Sequence, residues 1–242
     1  MDRKKILIVS AGGKGVRMGG GKPKQFLEFE GVPVLRLTIS KFLEAVPDLR
    51  IVTVLPESWM AWWKDYCLKT NFNCPQVMVA GGITRFHSVK NALAKVPDGA
   101  IVAVHDGVRP LISKELIKSM FSKMENDPSC RGLVPCLPTT DTLKPLHHAE
   151  GPDGTKRLEL TEGVVLDRSA IFSVQTPQMF LSEELKAAYG QAYDTAFTDD
   201  ASVASAYGIP LTFCEGERFN IKLTTPEDLE LAKAIKLVRK SI

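Results

Sequence analysis

Residues 6–26 read ILIVSAGGKGVRMGGGKPKQF (Ile6–Phe26). The first four, Ile6-Leu7-Ile8-Val9, form a short β-branched-rich run of the kind that lies buried in a parallel sheet. The chain then changes character at once. Ser10–Phe26 holds six glycines, Lys14, Arg17, Lys22 and Lys24, and no acidic residue. Glycines directly after a strand let the backbone turn sharply and bring its N–H groups up to an anion, most often phosphate. Two familiar phosphate loops are excluded. A Walker A loop needs Ser or Thr after Gly-Lys, but Gly21-Lys22 is followed by Pro23, and Val16 stands where its first glycine belongs. The dinucleotide fingerprint needs Gly or Ala where Met18 stands. Pro23 argues for an extended rather than helical chain around Lys22 and Lys24. This is a third kind of phosphate loop, placed where open α/β sheets bind ligands, at the C-terminal end of a strand.

Beyond the loop, strand and helix patterns alternate. Leu35, Ile39, Phe42, Leu43 and Val46 recur at helical spacing over Pro33–Val46. Ile51–Leu55 reads as a strand, Glu57–Leu68 as a helix, Val77–Val79 as a strand and Arg85–Val96 as a helix. Ala100–Val104 is a strand, Ser113 caps a helix through Met124, and Gly132–Pro135 is a strand. Trp59, Trp62, Trp63 and Tyr66 cluster on the second helix and read as core or interface rather than a cofactor box. This rhythm predicts a mostly parallel twisted sheet with helices on both faces, joined by right-handed crossovers, in a single domain over residues 1–242.

The rhythm breaks between Pro138 and Thr161. That stretch has Thr139, Thr140, Asp141, Thr142, His147, His148 and a Gly151-Pro152-Asp153-Gly154 turn signal, but few apolar residues. It predicts a protruding β-hairpin arm that packs on a second subunit, because an isolated hairpin is marginal in water. The β/α pattern then resumes, with Ser182 or Thr225 as candidate caps and Pro226 at a first helical position.

Bulk properties narrow the function. The chain has 242 residues, 44% of them hydrophobic, and a net charge of +3 with pI near 8.5. That charge is too mild to argue for nucleic acid. No apolar stretch approaches the ~20 residues of a membrane span, and Ile6–Val9 is too short for a signal-peptide core. Cys67, Cys74, Cys130, Cys136 and Cys214 are odd in number and make no CxxC pair, so they read as reduced thiols of a cytoplasmic protein.

Four further polar clusters fall at element ends. Gly81-Gly82-Ile83-Thr84-Arg85-Phe86-His87-Ser88 joins a strand to a helix. His105-Asp106-Gly107-Val108-Arg109-Pro110 closes what should be a central strand. Asp106, facing a basic phosphate loop, is placed to serve a ribose or to ligate Mg²⁺, which favours one or two carboxylates plus phosphate oxygens; it could instead cap a helix or pair with Arg109. His105 reads as a buried structural histidine rather than a base. The third cluster is Asp167-Arg168 with Gln175-Thr176-Pro177-Gln178; the fourth is Phe219-Asn220-Ile221-Lys222.

The ordered set is similar to one family. Ala11-Gly12-Gly13-Lys14-Gly15-Val16-Arg17-Met18 with Pro23-Lys24-Gln25-Phe26 resembles the signature of the 2-C-methyl-D-erythritol 4-phosphate cytidylyltransferases. So do Gly81-Gly82 with Arg85 and Ser88-Val89, His105-Asp106 with Arg109-Pro110, Asp141-Thr142 with Lys144, Thr176-Pro177-Gln178, and Asn220-Ile221-Lys222 with Pro226-Glu227-Asp228. The resemblance implies a Rossmann-like nucleotidyltransferase fold and a homodimer joined through the arm at residues 138–161. It implies transfer of CMP from CTP to methylerythritol phosphate with release of pyrophosphate, in non-mevalonate isoprenoid synthesis. By position it assigns transition-state stabilisation to Arg17 and Lys24, with Lys22 an exposed neighbour. It assigns the acceptor phosphate to Thr142, Arg168 and Lys222, the first two reaching a partner's site. Ala11, Gly12, Gly13, Gly82, Arg85, Ser88 and Asp106 would hold CTP, and Asp106 would also meet Mg²⁺. Ribitol 5-phosphate cytidylyltransferases share these motifs and remain the alternative on sequence. A catalytically silent nucleotide-binding protein is a further one, against which Arg17, Lys24, Asp106 and Lys222 argue together.

Overall fold

In a computed structural model of the chain, the described residues are 3–13, 21–151 and 154–241. Arg17 and most of its loop, Lys14 to Gly20, lie outside them, as do Pro152 and Asp153 of the expected turn.

The chain enters through β1 (Lys5–Ser10), followed by a small hairpin of β2 (Glu28–Phe29) and β3 (Val32–Pro33). Then come α1 (Val34–Ala45), β4 (Arg50–Leu55), α2 (Glu57–Lys69), β5 (Gln76–Ala80), α3 (Arg85–Leu93), β6 (Ile101–Asp106), α4 (Lys114–Asn126) and β7 (Gly132–Pro138). β1 lies between β4 and β6, parallel to both, and β5 pairs parallel with the far side of β4. Strand order therefore reverses at β1, and the register sets Ser10 opposite Asp106. Consecutive β1 residues serve opposite faces, as the two-residue strand period requires. Leu7 and Val9 pack with Leu35, Phe42, Trp63 and Phe121 of α1, α2 and α4. Ile6 and Ile8 pack with Phe86, Val89 and Leu93 of α3 on the other face.

Most boundaries fall within a few residues of expectation. α3 stops at Leu93 rather than Val96, because Lys95 and Val96 tighten into bonds three residues back ahead of Pro97. Ser113 caps α4, accepting from the Leu116 N–H. Pro23 is extended, but Lys24–Phe26 then make one 3₁₀ turn where an extended chain was expected.

The later half departs from a purely parallel rhythm. β8 (Leu146–Glu150) and β9 (Lys156–Leu160) pair antiparallel as a separate two-stranded sheet with mostly exposed residues. β10 (Phe172–Val174) pairs antiparallel with β7. β11 (Gln178–Leu181) inserts antiparallel between β6 and β7. After α5 (Ser182–Ala188) and α6 (Asp200–Tyr207), β12 (Leu211–Glu215) pairs parallel with β7, and α7 (Pro226–Ser241) ends the chain. Ser182 is the first residue of α5 rather than its cap, and its hydroxyl accepts from the Ala100 N–H. At α7 the capping acceptor is Asp228, whose Oδ2 takes the N–H groups of Thr224 and Thr225.

Candidate active site

The C-terminal ends of β1, β4, β5 and β6 open onto one cavity of about 930 Å³. Three chain segments meet there because glycines let them approach. A Cβ at Gly12 would lie 3.2 Å from the Gly81 Cα and 3.3 Å from the Ser88 Oγ, so the exits of β1 and β5 touch backbone to backbone. A Cβ at Gly82 would meet the His87 Cβ at 2.4 Å, which no side chain tolerates. Thr84 caps α3 by accepting from the His87 N–H, a cap the sequence reading did not name. The Ser88 hydroxyl is already engaged, accepting from the Gly82 N–H at 3.0 Å and donating to the Thr84 carbonyl at 2.9 Å. Ser88 thereby fixes the shape of this turn as well as lining the cavity.

Asp106 forms the charged floor. Its Oδ2 lies 3.1 Å from the Lys222 Nζ and 3.2 Å from the Arg109 Nε, and its Oδ1 lies 3.9 Å from the Arg85 Nε. Burial alone would raise its pKa, but Arg85, Lys222 and Arg109 together outweigh that and hold the carboxyl well below the usual range. It is therefore a carboxylate in all neutral solutions. Arg85 itself is a bridge. Its Nη1 and Nη2 donate to Asp200 at 3.0 and 2.5 Å, and Asp200 also accepts from the Tyr189 hydroxyl at 2.6 Å. The Arg85 Nε lies on the Asp106 side.

Beneath Asp106, His105 is wholly buried against Phe42. Its Nε2 pairs with the Arg109 carbonyl at 3.2 Å, which requires an N–H there, so its Nδ1 accepts from the Thr176 hydroxyl at 3.0 Å. Thr176 in turn accepts from the Asp106 N–H at 3.1 Å. Burial pushes the His105 pKa down to about 4, as expected of a structural neutral imidazole. Asn220 donates to the Thr176 carbonyl and receives the Arg109 Nη1 on its own, which places Lys222 two residues later at the cavity edge.

The structure brings Ala11, Gly12, Gly13, Lys24, Gly82, Arg85, Ser88, Asp106 and Lys222 to one cavity. Lys22 is held away from it, 3.3 Å from Glu28 and over the Trp62 ring, rather than standing free in solvent. Arg168 and Thr142 are exposed and do not line the cavity; the Arg168 Nη1 donates to the Thr140 carbonyl at 3.3 Å, which keeps the two segments together. Arg17 lies outside the described residues. Among the described residues no group of three or more His, Cys, Asp or Glu side chains is arranged to hold a metal. Asp106 still suits a Mg²⁺ that carries most of its own coordination from phosphate oxygens, since it is ionised and lines the cavity.

A sequence model described as IspD: 2-C-methyl-D-erythritol 4-phosphate cytidylyltransferase matches residues 5–238. The chain is 45% identical over 238 residues to the Porphyromonas gingivalis protein of that name, covering 97% of this chain and 99% of that one. Among solved structures, the Francisella tularensis 2-C-methyl-D-erythritol 4-phosphate cytidylyltransferase superposes with a TM-score of 0.72 at 28% identity, covering 96% of this chain and 99% of that one. The bifunctional IspDF of Campylobacter jejuni superposes with a TM-score of 0.73 at 27% identity; 95% of this chain is covered, and it spans about half of that protein, 54%.

Proposed function

The chain belongs to the 2-C-methyl-D-erythritol 4-phosphate cytidylyltransferase family, and from that premise we propose which of its residues carry the reaction. The enzyme transfers CMP from CTP to 2-C-methyl-D-erythritol 4-phosphate, giving 4-diphosphocytidyl-2-C-methyl-D-erythritol and pyrophosphate. A phosphate oxygen of the acceptor forms the new bond to the α-phosphorus, and the bond from that phosphorus to the bridging oxygen breaks. The electron pair leaves with pyrophosphate. The attacking phosphate monoester is already ionised at neutral pH, so no general base is required. Both reactants are anions, and catalysis rests on positioning and on cations placed where charge grows.

The observation that carries this assignment is that one glycine-lined cleft is lined by Lys24 and by Lys222 paired with Asp106. Ala11, Gly12, Gly13, Gly82 and Ser88 offer backbone and small polar groups to the nucleotide. Lys24, joined by Arg17 of the same loop, stabilises the transition state. Lys222 holds the acceptor phosphate, together with Thr142 and Arg168 supplied by a partner subunit through residues 138–161. Arg85 acts on CTP chiefly through Asp106, since its two terminal nitrogens are committed to Asp200. Asp106 is the residue that would hold a Mg²⁺ here, and such an ion would supply neutralisation of phosphate charge. The five cysteines are free thiols, in keeping with the reducing cytoplasm in which we place the enzyme. Among the described residues no helix is long and apolar enough to cross a membrane.

Pyrophosphate release with CTP, measured against methylerythritol phosphate and ribitol 5-phosphate in parallel, tests the acceptor. Turnover should be strongly higher with the first; equal turnover would move the chain towards the ribitol enzymes. In the same assay Lys24→Ala should lower kcat on the order of 10²-fold while KM for CTP changes far less. Weaker CTP binding with unchanged kcat would make Lys24 a binding residue only.

A further inference from the structure

We propose that Gln25 is a positioning residue for the transfer step, fixing Lys24 against the exit of β1 by spending both hydrogens of its side-chain amide on backbone carbonyls. Its Nε2 donates to the Ala11 carbonyl at 2.6 Å and to the Gly13 carbonyl at 3.0 Å. Both acceptors line the cavity, as do Lys24 and Gln25 themselves, and the Gln25 side chain is 1% exposed.

The chemistry of the position selects glutamine. Two carbonyls, two residues apart, face one buried atom and need two donors from it without a net charge. A neutral primary amide is the side-chain group that supplies them. A carboxylate of the same shape would set negative charge against two carbonyl oxygens. A methionine of the same length would leave both without this partner, and an unpaired buried polar group is costly. A lysine would donate, but would bring a charge into a site closed to water.

The neighbours of Gln25 make the contact directional. Pro23 fixes the backbone just before Lys24, with φ −58°. Phe26 just after is fully buried, stacked on Trp59 at 5.1 Å and edge-on to Trp62 at 4.9 Å between ring centroids. The main chain of Lys24 is therefore held on the α2 side by the aromatic cluster and on the β1 side by the Gln25 amide. With one side released, the lysine's stem would start from a different place. Cation placement matters steeply in phosphoryl transfer, where displacements of about 1 Å can cost on the order of 10²-fold.

This inference rests on the reading that Lys24 meets the triphosphate in the transition state, and the test separates the two. Gln25→Met should lower kcat by about 10-fold or more with KM for CTP changed less than about 3-fold. Added to Lys24→Ala, it should cause no further loss, because a residue that acts through Lys24 has nothing left to position. Losses that multiply in the double variant, or a Gln25→Met enzyme with wild-type kcat, would overturn the proposal. A Lys24→Ala enzyme with wild-type kcat would instead strike the underlying reading, and it is recognised from that single variant alone. Gln25→Glu keeps the test alive if Gln25→Met does not fold. Its carboxyl donates one hydrogen only when protonated, so its kcat relative to wild type should climb as pH falls from 8 to 6. A flat ratio counts against positioning by hydrogen bonds.

Discussion

His105 lies next to the Asp106 carboxylate and is itself wholly buried, and that burial makes a separate prediction. Neutral in the fold, its imidazole titrates at about 4 rather than at its ordinary 6.5, because burial opposes the charged form. A depressed histidine pKa means that the unfolded chain takes up the proton first. The stability this group contributes is complete above pH 6.5 and is lost as pH falls towards 4. The loss between pH 7 and pH 5 should be about 2 kcal/mol. Urea unfolding of wild type and His105→Gln at those two pH values checks it, since the variant should lack that share of the acid dependence. An identical pH slope in both would remove His105 as the cause. At this scale the sequence was informative about which residues meet at the cavity, Asp106 from its place at a strand end and Lys24 from a one-signed loop. It placed Gln25 and Thr176 in motifs without giving either a task, and it did not single out Asp200. Their partners lie 14, 115 and 70 residues away, and no local pattern encodes a contact across such a gap.

Between elements, the Arg85–Asp200 pair joins the first residue of α3 to the first residue of α6, two helices that pack on the same face of the sheet. Asp200 is fully buried, so removing Arg85 strands a carboxylate with Tyr189 as its remaining side-chain partner. Arg85→Ala should cost on the order of 3–5 kcal/mol. Arg85→Ala with Asp200→Ala should cost clearly less than the two single losses added, by about 2 kcal/mol, in a denaturant double-mutant cycle. Simple additivity would mean that the helices are held by packing and that the ion pair contributes little. The helices and parallel strands up to β7 were legible because each carries its own hydrophobic period. β10 and β11 were not. They are runs of three and four residues, and their antiparallel insertion is chosen by pairing with β6 and β7 rather than by anything within them. The helix-like placement of Lys24–Phe26 was missed for a related reason, since the aromatic side chains of α2 override the extended preference set by Pro23.

For the whole molecule, the proposed sharing of sites between subunits makes a numerical demand. Arg168 and Thr142 stand apart from the cavity lined by Lys24 and Lys222, as the proposed sharing requires. Homodimers of Arg168→Ala and of Lys24→Ala should each be nearly inactive. Allowed to exchange in equal amounts, they should recover about a quarter of wild-type activity, because half the dimers are mixed and each has one intact site of two. No recovery despite verified exchange would place Arg168 within its own subunit's chemistry. The break in rhythm after Pro138 was readable as a hairpin because it lacks apolar residues at either period, and β8 and β9 do pair antiparallel, whereas what the hairpin packs on is not written locally. The leucines of its two strands, Leu146, Leu158 and Leu160, are half or more exposed in the single chain. If that surface is where two copies meet, as proposed, turnover depends on how many copies are present. Thinned below the concentration at which pairs persist, the enzyme should lose turnover per molecule while every chain stays folded, and concentrating the same sample should restore it.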